Sequence, residues 1–237
     1  MAEKTYSVGA VLFDLDGTLL DTLPDLHAAA NGLRRDFGLA DLPPEAIASY
    51  IGRGIPNLVK RVLAGSMEVA EGPPPADALA SFRAHYDREN GRNVRCYPGV
   101  IDGLEMLKAK GIPMAVITNK AEAFTLPLLE MTGLAGYFDV VVGGDVLPKN
   151  KPDPMALVWA CGRIGVSPAH ALFIGDSIND LVAGRAAGCP VFLLPYGYNE
   201  GGDVHDLDCD AIVPTVASAA QRIEFEDSRV LKLNTHT

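Results

Sequence analysis

Short, continuous runs of apolar and β-branched residues recur along the chain, and most of them end at Gly, Asp, Asn or Pro. Continuous rather than alternating apolar runs are typical of strands that are buried on both faces of a sheet. We predict six such strands, at residues 8–13, 113–118, 138–142, 171–175, 191–194 and 211–213.

Segments with helical periodicity lie between the predicted strands. Apolar residues recur at helical spacing within residues 100–110, 121–131, 154–164 and 181–187. Strands that alternate with helices in this way are typical of a mainly parallel sheet with helices packed against it. The predicted fold class is therefore α/β, with a Rossmann-like parallel-sheet core.

The alternation stops between residues 21 and 92, where the periodicity is helical throughout. Three helix-period stretches lie there, around residues 23–37, 55–63 and 76–86. A crossover between parallel strands usually contains one helix, so ordinary crossover helices are the less favoured alternative. We predict an all-helical domain at 21–92, inserted into an α/β core that residues 1–20 and 93–237 form together.

Composition narrows the classes of partner. The 237 residues include 30 acidic and 20 basic side chains, a net charge of -10. Nucleic acid and anionic membranes both require a basic face, so we expect neither as a partner. The apolar runs are far shorter than the roughly 20 residues of a membrane-spanning helix, and the N-terminus lacks the features of a secretory signal. We therefore expect a cytoplasmic protein.

Polar residues that suit chemistry follow the predicted strands. They are Asp14 and Asp16 after the first strand, Thr118, Asn119 and Lys120 at the second, Lys151 in a loop between prolines, and Asp176 and Asp180 after the fourth. Open α/β sheets bind ligands at the carboxyl ends of their strands. An Asp-x-Asp pair alone also occurs in many turns. Here a hydroxyl and a lysine lie with it at one edge of the predicted sheet, and this combination indicates a ligand-binding site.

Four motifs in this set resemble those of the haloacid dehalogenase-like phosphohydrolases: Asp14-Leu-Asp16-Gly-Thr, Thr118-Asn119, Lys151-Pro152, and Gly175-Asp176 with Asp180. The resemblance extends from residue 8 to about residue 216. It implies that Asp14 is a nucleophile that forms an aspartyl-phosphate, which divides a hard hydrolysis into two easier steps. It also implies that Asp16 acts as the general acid and then as the general base.

The resemblance further implies the surroundings of the phosphate. Thr118 and the backbone amides beside it would bind phosphoryl oxygens, Gly17 and Asn119 would also contact the substrate, and Lys151 would offset the charge of the transition state. Mg²⁺, which prefers oxygen ligands, would be held by Asp14, Asp176 and the backbone carbonyl of Asp16. Asp180 would share the metal through water or orient Lys151.

By the same resemblance, the helical insertion would be a mobile cap that selects the substrate. Its Gly52-Arg53-Gly54 loop is a candidate, because glycines permit close approach and arginine offers a planar fork for a carboxylate or phosphate. Together with this loop, the chain has Asp21-Thr22 after the first motif, Thr118-Asn119-Lys120, and Gly143-Gly144-Asp145 leading into residues 149–154. In these features it resembles most closely, within the family, the bacterial phosphoglycolate phosphatases. That likeness implies 2-phosphoglycolate as the substrate, with its carboxylate paired to Arg53 or Lys120.

Several alternatives share these core motifs. A pyrophosphatase, a sugar-phosphate phosphatase and a hexose-phosphate mutase would have the same nucleophile and metal ligands, and a non-catalytic binding protein is a distant alternative. In all of them the expected partner is a small phosphorylated metabolite, with the chain a monomer or a homodimer. Residues 224–237 are expected to form a polar tail or a final helix.

Overall fold

The computed structural model describes residues 4–226. Its strands are β1 (Tyr6–Val8), β2 (Ala10–Phe13), β3 (Leu20–Asp21), β4 (Arg95–Cys96), β5 (Met114–Ile117), β6 (Val140–Val142), β7 (Ala171–Gly175), β8 (Val191–Leu193), β9 (Ala211–Ile212) and β10 (Ile223–Phe225). Its α-helices are α1 (Leu23–Asp36), α2 (Pro44–Tyr50), α3 (Gly54–Ala64), α4 (Ala76–Glu89), α5 (Val100–Ala109), α6 (Glu122–Met131), α7 (Met155–Ile164), α8 (Ile178–Ala187) and α9 (Val216–Gln221).

Six strands form the main sheet, in the order β6-β5-β2-β7-β8-β9. Every neighbouring pair in it is parallel. Each of the six predicted apolar runs contains one of these strands, so the predicted α/β fold class is confirmed. The order places β2 between β5 and β7, and therefore sets the carboxyl ends of these three strands side by side.

Alternate residues of the central strands enter different apolar layers. In β2, Val11 and Phe13 pack in the layer that α5 and α9 cover, whereas Ala10 and Leu12 pack in the layer that α7 and α8 cover. This period of two follows from the pleat of a strand. Burial on both faces explains why β2 reads as a continuous apolar run.

Helices α1 to α4, called the helical unit below, have an apolar cluster of their own. Leu33, Val59 and Phe82 are fully buried there. The sequence predicted three helices in this part of the chain, and the structure adds the short helix α2. Strands β3 and β4 pair antiparallel where the chain enters and leaves the unit. The domain boundaries at residues 21 and 92 stay a prediction.

The ends of the described chain differ from expectation. The predicted run 8–13 divides at Gly9, and Val8 belongs to β1, which pairs in parallel with β10. Residues 224 and 225 lie in β10 rather than in a tail or a helix, and residues 227–237 of that predicted segment lie outside the described residues. Between residues 4 and 226, the helices are all too short or too polar to cross a bilayer.

Candidate active site

The carboxyl ends of three neighbouring strands bring the predicted site residues together. Asp14 directly follows β2, Thr118 follows β5 and Asp176 follows β7. All three side chains are buried. Since the sheet is parallel, these residues meet at one edge, and the expectation of a polar cluster at that edge is met by the geometry.

Lys151 lies at the centre of the cluster. Its Nζ atom donates hydrogen bonds to Asp14 Oδ1 at 2.6 Å and to Asp180 Oδ1 at 2.7 Å. The other oxygen of Asp180 accepts from the backbone amide and the hydroxyl of Ser177, which completes a capping box at the start of α8. Asp180 therefore orients Lys151 and also fixes the loop that carries Asp176.

Three carboxylates surround the position where a metal ion is expected. Among the described residues, oxygen atoms of Asp14, Asp176 and Asp180 lie within 4.8 Å of one another. Burial raises the pKa of Asp14 to about 7 although the Lys151 ammonium lowers it, and Asp180 raises it further. Burial and the two neighbouring carboxylates also raise the pKa of Asp176 well above its usual range. One lysine leaves this group with excess negative charge away from water, so the donor set fits a divalent cation.

Asp176 is held from two further directions. Thr18 Oγ1 donates to its Oδ1 at 2.9 Å, and the Tyr198 amide donates to its Oδ2 at 2.7 Å. Gly17 has a φ of +89°, and a Cβ atom at this position would lie 2.4 Å from Asp176 Oδ2. The glycine is therefore required for close approach of the backbone to Asp176. Its contact with a substrate stays a prediction.

Asp16 and Lys120 form a second ion pair beside the cluster. Asp16 Oδ1 accepts from Lys120 Nζ at 2.7 Å and from Thr22 Oγ1 at 2.6 Å. Burial by itself would lower the pKa of Lys120, but the adjacent Asp16 carboxylate and Tyr86 raise it above its ordinary value. Lys120 Nζ also lies 5.1 Å from the ring centre of Tyr86, in α4. Lys120 is thus a buried cation where the sheet edge meets the helical unit.

Thr118 and Asn119 are placed differently. Thr118 Oγ1 accepts from the Lys120 amide at 3.1 Å, which leaves its hydroxyl hydrogen available to a ligand. The Asn119 side chain exchanges hydrogen bonds with the backbone of Lys151, and its Nδ2 atom also donates to Gly52 O at 2.8 Å. The side chain of Asn119 therefore orders the Lys151 loop and contacts the helical unit, and only its backbone is left for a phosphate.

Arg53 does not join the other candidate residues. Its guanidinium, half exposed, makes two hydrogen bonds to Glu200, at 2.8 and 2.9 Å. The sequence suggested that Arg53 pairs with a substrate carboxylate. In the structure a carboxylate of the protein occupies this fork, and Arg53 is absent from the residues that line the pocket at the sheet edge, so its pairing with a substrate carboxylate stays a prediction. The residues that line this pocket are Asp14, Asp16, Leu26, Ile51, Gly52, Gly54, Ile55, Leu58, Thr118, Asn119 and Lys120.

Four residues of the site region were not singled out as site residues from the sequence: Thr18, Thr22, Tyr198 and Glu200. The two threonines bond Asp176 and Asp16. Tyr198 and Glu200 follow β8, which ends at the same sheet edge as β7. The sequence signal that could have identified Tyr198 and Glu200 is the polar segment that follows β8. Ligands bind at the carboxyl ends of parallel strands, and this rule, which located Asp176, applies to β8 too.

Known proteins resemble this chain in sequence and in fold. The family model described as haloacid dehalogenase-like hydrolase matches residues 11–194. The phosphoglycolate phosphatase of Nitrosospira multiformis is 53% identical over 92% of this chain and 96% of its own length. The phosphoglycolate phosphatase of Thiobacillus denitrificans is 52% identical over 90% of this chain and 94% of its own. The crystal structure of "a predicted phosphoglycolate phosphatase" from Haemophilus somnus 129PT superposes with a TM-score of 0.82 at 34% identity, covering 90% of this chain and 97% of that one.

Proposed function

Because the chain belongs to the haloacid dehalogenase-like hydrolase family, we propose that it is a phosphoric monoester hydrolase that converts 2-phosphoglycolate and water into glycolate and phosphate. The observation that carries the proposal is the buried cluster of Asp14, Lys151, Asp176 and Asp180 at the sheet edge, beside the Asp16 to Lys120 ion pair. The relatives named above are called phosphoglycolate phosphatases, which supports the choice of substrate.

Asp14 is the nucleophile of the proposed reaction. Lys151 holds its Oδ1 atom, which leaves Oδ2 to attack phosphorus. The new bond joins this oxygen to phosphorus while the ester bond to glycolate breaks, and the result is an aspartyl-phosphate. Water then attacks the same phosphorus, so that phosphate leaves and the Asp14 carboxylate is restored.

Asp16 transfers the proton in both steps of the proposed reaction. It would give a proton to the departing glycolate oxygen and later take one from the attacking water. Lys120 and Thr22 both bond its Oδ1 atom, so the position of the carboxyl group is fixed and Oδ2 is free to face the ester. Thr118 and Lys151 would bind the phosphoryl oxygens.

Mg²⁺ is the metal that we propose for this site, because it takes oxygen ligands and the carboxylates are hard donors. Asp14, Asp176 and the backbone carbonyl of Asp16 would hold it, with Asp180 nearby. When bound, it neutralises the charge that the nucleophile and the phosphoryl group bring together. The three carboxylates and Lys151 alone would leave the site negative and repel a phosphate.

A mostly aliphatic wall supports a small leaving group. Leu26, Ile51, Ile55 and Leu58 cover the pocket from the helical unit. The hydroxyl groups of a sugar would lose their hydrogen bonds to water against these side chains, which is costly. Glycolate has one carboxylate beyond the ester carbon, and Lys120 provides a buried cation for it.

A panel of substrates tests the proposal. We expect phosphate release, with a kcat/KM for 2-phosphoglycolate above the values for pyrophosphate and glucose phosphates. A preference for pyrophosphate or for a sugar phosphate would contradict the substrate choice. Isomerisation of glucose 1-phosphate without phosphate release would indicate a mutase. Binding of these phosphate esters without turnover would indicate a non-catalytic binding protein. Cytoplasmic location, and a monomer or homodimer without nucleic acid or membrane partners, stay predictions.

Shortening the aliphatic wall should relax the selectivity. Leu58 is buried, and Leu58→Ala removes most of its side chain from the pocket lining. We expect the ratio of kcat/KM for glucose 6-phosphate to that for 2-phosphoglycolate to rise about tenfold, the scale of a change in apolar pocket contacts. Leu63→Ala, on the same helix but beside the loop of Glu68 and Pro73, is the matched control. An equal ratio in both variants would contradict the role of the wall.

A further inference from the structure

The segment Tyr198–Glu200, which follows β8, lies against the carboxylate cluster. The amide of Tyr198 donates to Asp176 Oδ2 at 2.7 Å. Next to it, buried Asn199 accepts a hydrogen bond from the amide of Ile178, at the start of α8, at 2.9 Å. A Cβ atom at Gly197 would lie 2.1 Å from Asp176 Oδ2, so the backbone here is in close contact with that carboxylate. Displacement of the segment would therefore displace Asp176.

The Tyr198 side chain contacts the linker that leads into the helical unit. Its hydroxyl accepts from the amides of Thr22 and Leu23, both at 3.0 Å, and donates to Asp21 Oδ1 at 3.0 Å. Asp21 ends β3, Leu23 begins α1, and Thr22 joins the two. One tyrosine thus bonds Asp176 through its backbone and the linker through its hydroxyl.

Glu200 contacts the helical unit itself. Its carboxylate accepts two hydrogen bonds from Arg53 and one, at 2.9 Å, from Arg61 Nη1. The Glu200 and Arg61 side chains are only 11% and 6% exposed, so this contact is less screened by salt than a surface ion pair. Asn199 and Glu200 have φ values of 37° and 48°, a region that non-glycine residues seldom adopt. The contacts on both sides of the segment hold this backbone in place.

We propose that the segment Tyr198–Glu200 couples the position of the helical unit to the order of Asp176, with Tyr198 and Glu200 as positioning residues. The inference uses the cation site of the proposed function. Binding at two linked places is reciprocal: if closure of the helical unit favours cation binding, the cation favours closure to the same extent. Through this coupling, closure of the helical unit and ordering of the carboxylates would occur together.

Mg²⁺ affinity tests the coupling without substrate or turnover. Glu200 is not a metal ligand, yet Glu200→Gln should weaken Mg²⁺ binding by the full-length chain about fivefold in calorimetry, the low end of typical coupling between sites. Tyr198→Phe should weaken it in the same direction. The matched controls are Glu89→Gln, which alters a surface ion pair with Arg92, and Tyr137→Phe, which removes a hydroxyl bonded to Glu105 at the surface. Both controls should keep the wild-type affinity.

Hydrogen exchange followed by mass spectrometry reports the second half of the coupling. In the wild-type chain, Mg²⁺ should slow exchange in peptides that contain the amides of Thr22 and Leu23. In Glu200→Gln and Tyr198→Phe this protection should be reduced, while thermal unfolding shows that both variants are folded.

The outcomes separate the two proposals. Wild-type Mg²⁺ affinity in both variants, together with unchanged protection, would overturn the coupling and leave the proposed function intact. A wild-type chain that binds no Mg²⁺ would overturn the metal assignment and the coupling together. If Glu200→Gln does not fold, Tyr198→Phe alone decides, since it removes one oxygen atom and leaves the Glu200 ion pairs in place.

Discussion

Replacing Asp14 with asparagine will lower kcat by at least about 10⁴-fold, a loss on the scale seen when an enzyme nucleophile is removed. The amide keeps the shape of the carboxylate and can still accept from Lys151, but it is a far weaker nucleophile towards phosphorus. Phosphate release from 2-phosphoglycolate at saturating Mg²⁺ measures the effect. Residual activity above about 1% of wild type would contradict the role of Asp14.

The same substitution should leave the fold intact or make it more stable. Burial raises the pKa of Asp14 from 3.8 to about 7 in the folded chain. The folded state then binds this proton more tightly than the unfolded state does, so the contribution of Asp14 to stability falls as the pH rises from about 4 to about 7. In EDTA at about pH 8, we expect the Tm of Asp14→Asn to equal or exceed that of wild type, and the difference to shrink towards about pH 4.

This pH series is also the control for the activity loss. An inactive variant with a lower Tm at about pH 8 would indicate a damaged fold instead of a missing nucleophile. An inactive variant with an equal or higher Tm assigns the loss to chemistry. The two measurements together separate the catalytic role of Asp14 from a structural one.

The sequence predicted the sheet well because both of its faces are buried. In β5 every residue from Met114 to Ile117 is buried, so no polar position interrupts the apolar run. The helix predicted at 100–110 appears as α5 for a similar reason: Val100, Leu104 and Leu107 are fully buried on one side. Helix α2 was missed because its seven residues form only two turns, which is too short for a period to be recognised.

The candidate site was predictable where it follows strand order and unpredictable where it depends on distant pairs. Residues at the carboxyl ends of parallel strands converge whatever conformation the loops adopt, so Asp14, Thr118 and Asp176 could be found. The predicted family is confirmed by the family model that matches residues 11–194. Arg53 and Glu200 are 147 residues apart. No local pattern indicates which carboxylate an arginine contacts across that separation, so the pairing of Arg53 with Glu200 was not predicted.

Replacing Lys151 with methionine should damage both activity and stability. The ammonium is the hydrogen-bond donor that Asp14 and Asp180 share, and all three groups are buried. Removing one partner of a buried ion pair typically costs about 3–5 kcal/mol of unfolding free energy, because the remaining charge has no compensation. Loss of a donor to the transition state should also lower kcat about 10²- to 10³-fold.

Lys149→Met is the matched control for this change. Lys149 lies two residues earlier in the same loop, and its ammonium pairs with Asp153 at 3.0 Å, but 62% of its side chain is exposed. A solvated ion pair of this kind contributes little to the free energy of unfolding, so the activity and the stability of this variant should both stay near wild type. Urea denaturation in EDTA compares the two variants. If the unfolding free energies of Lys151→Met and Lys149→Met are equal, Asp14 and Asp180 do not depend on Lys151 for their charge balance, and the electrostatic account of the cluster is wrong.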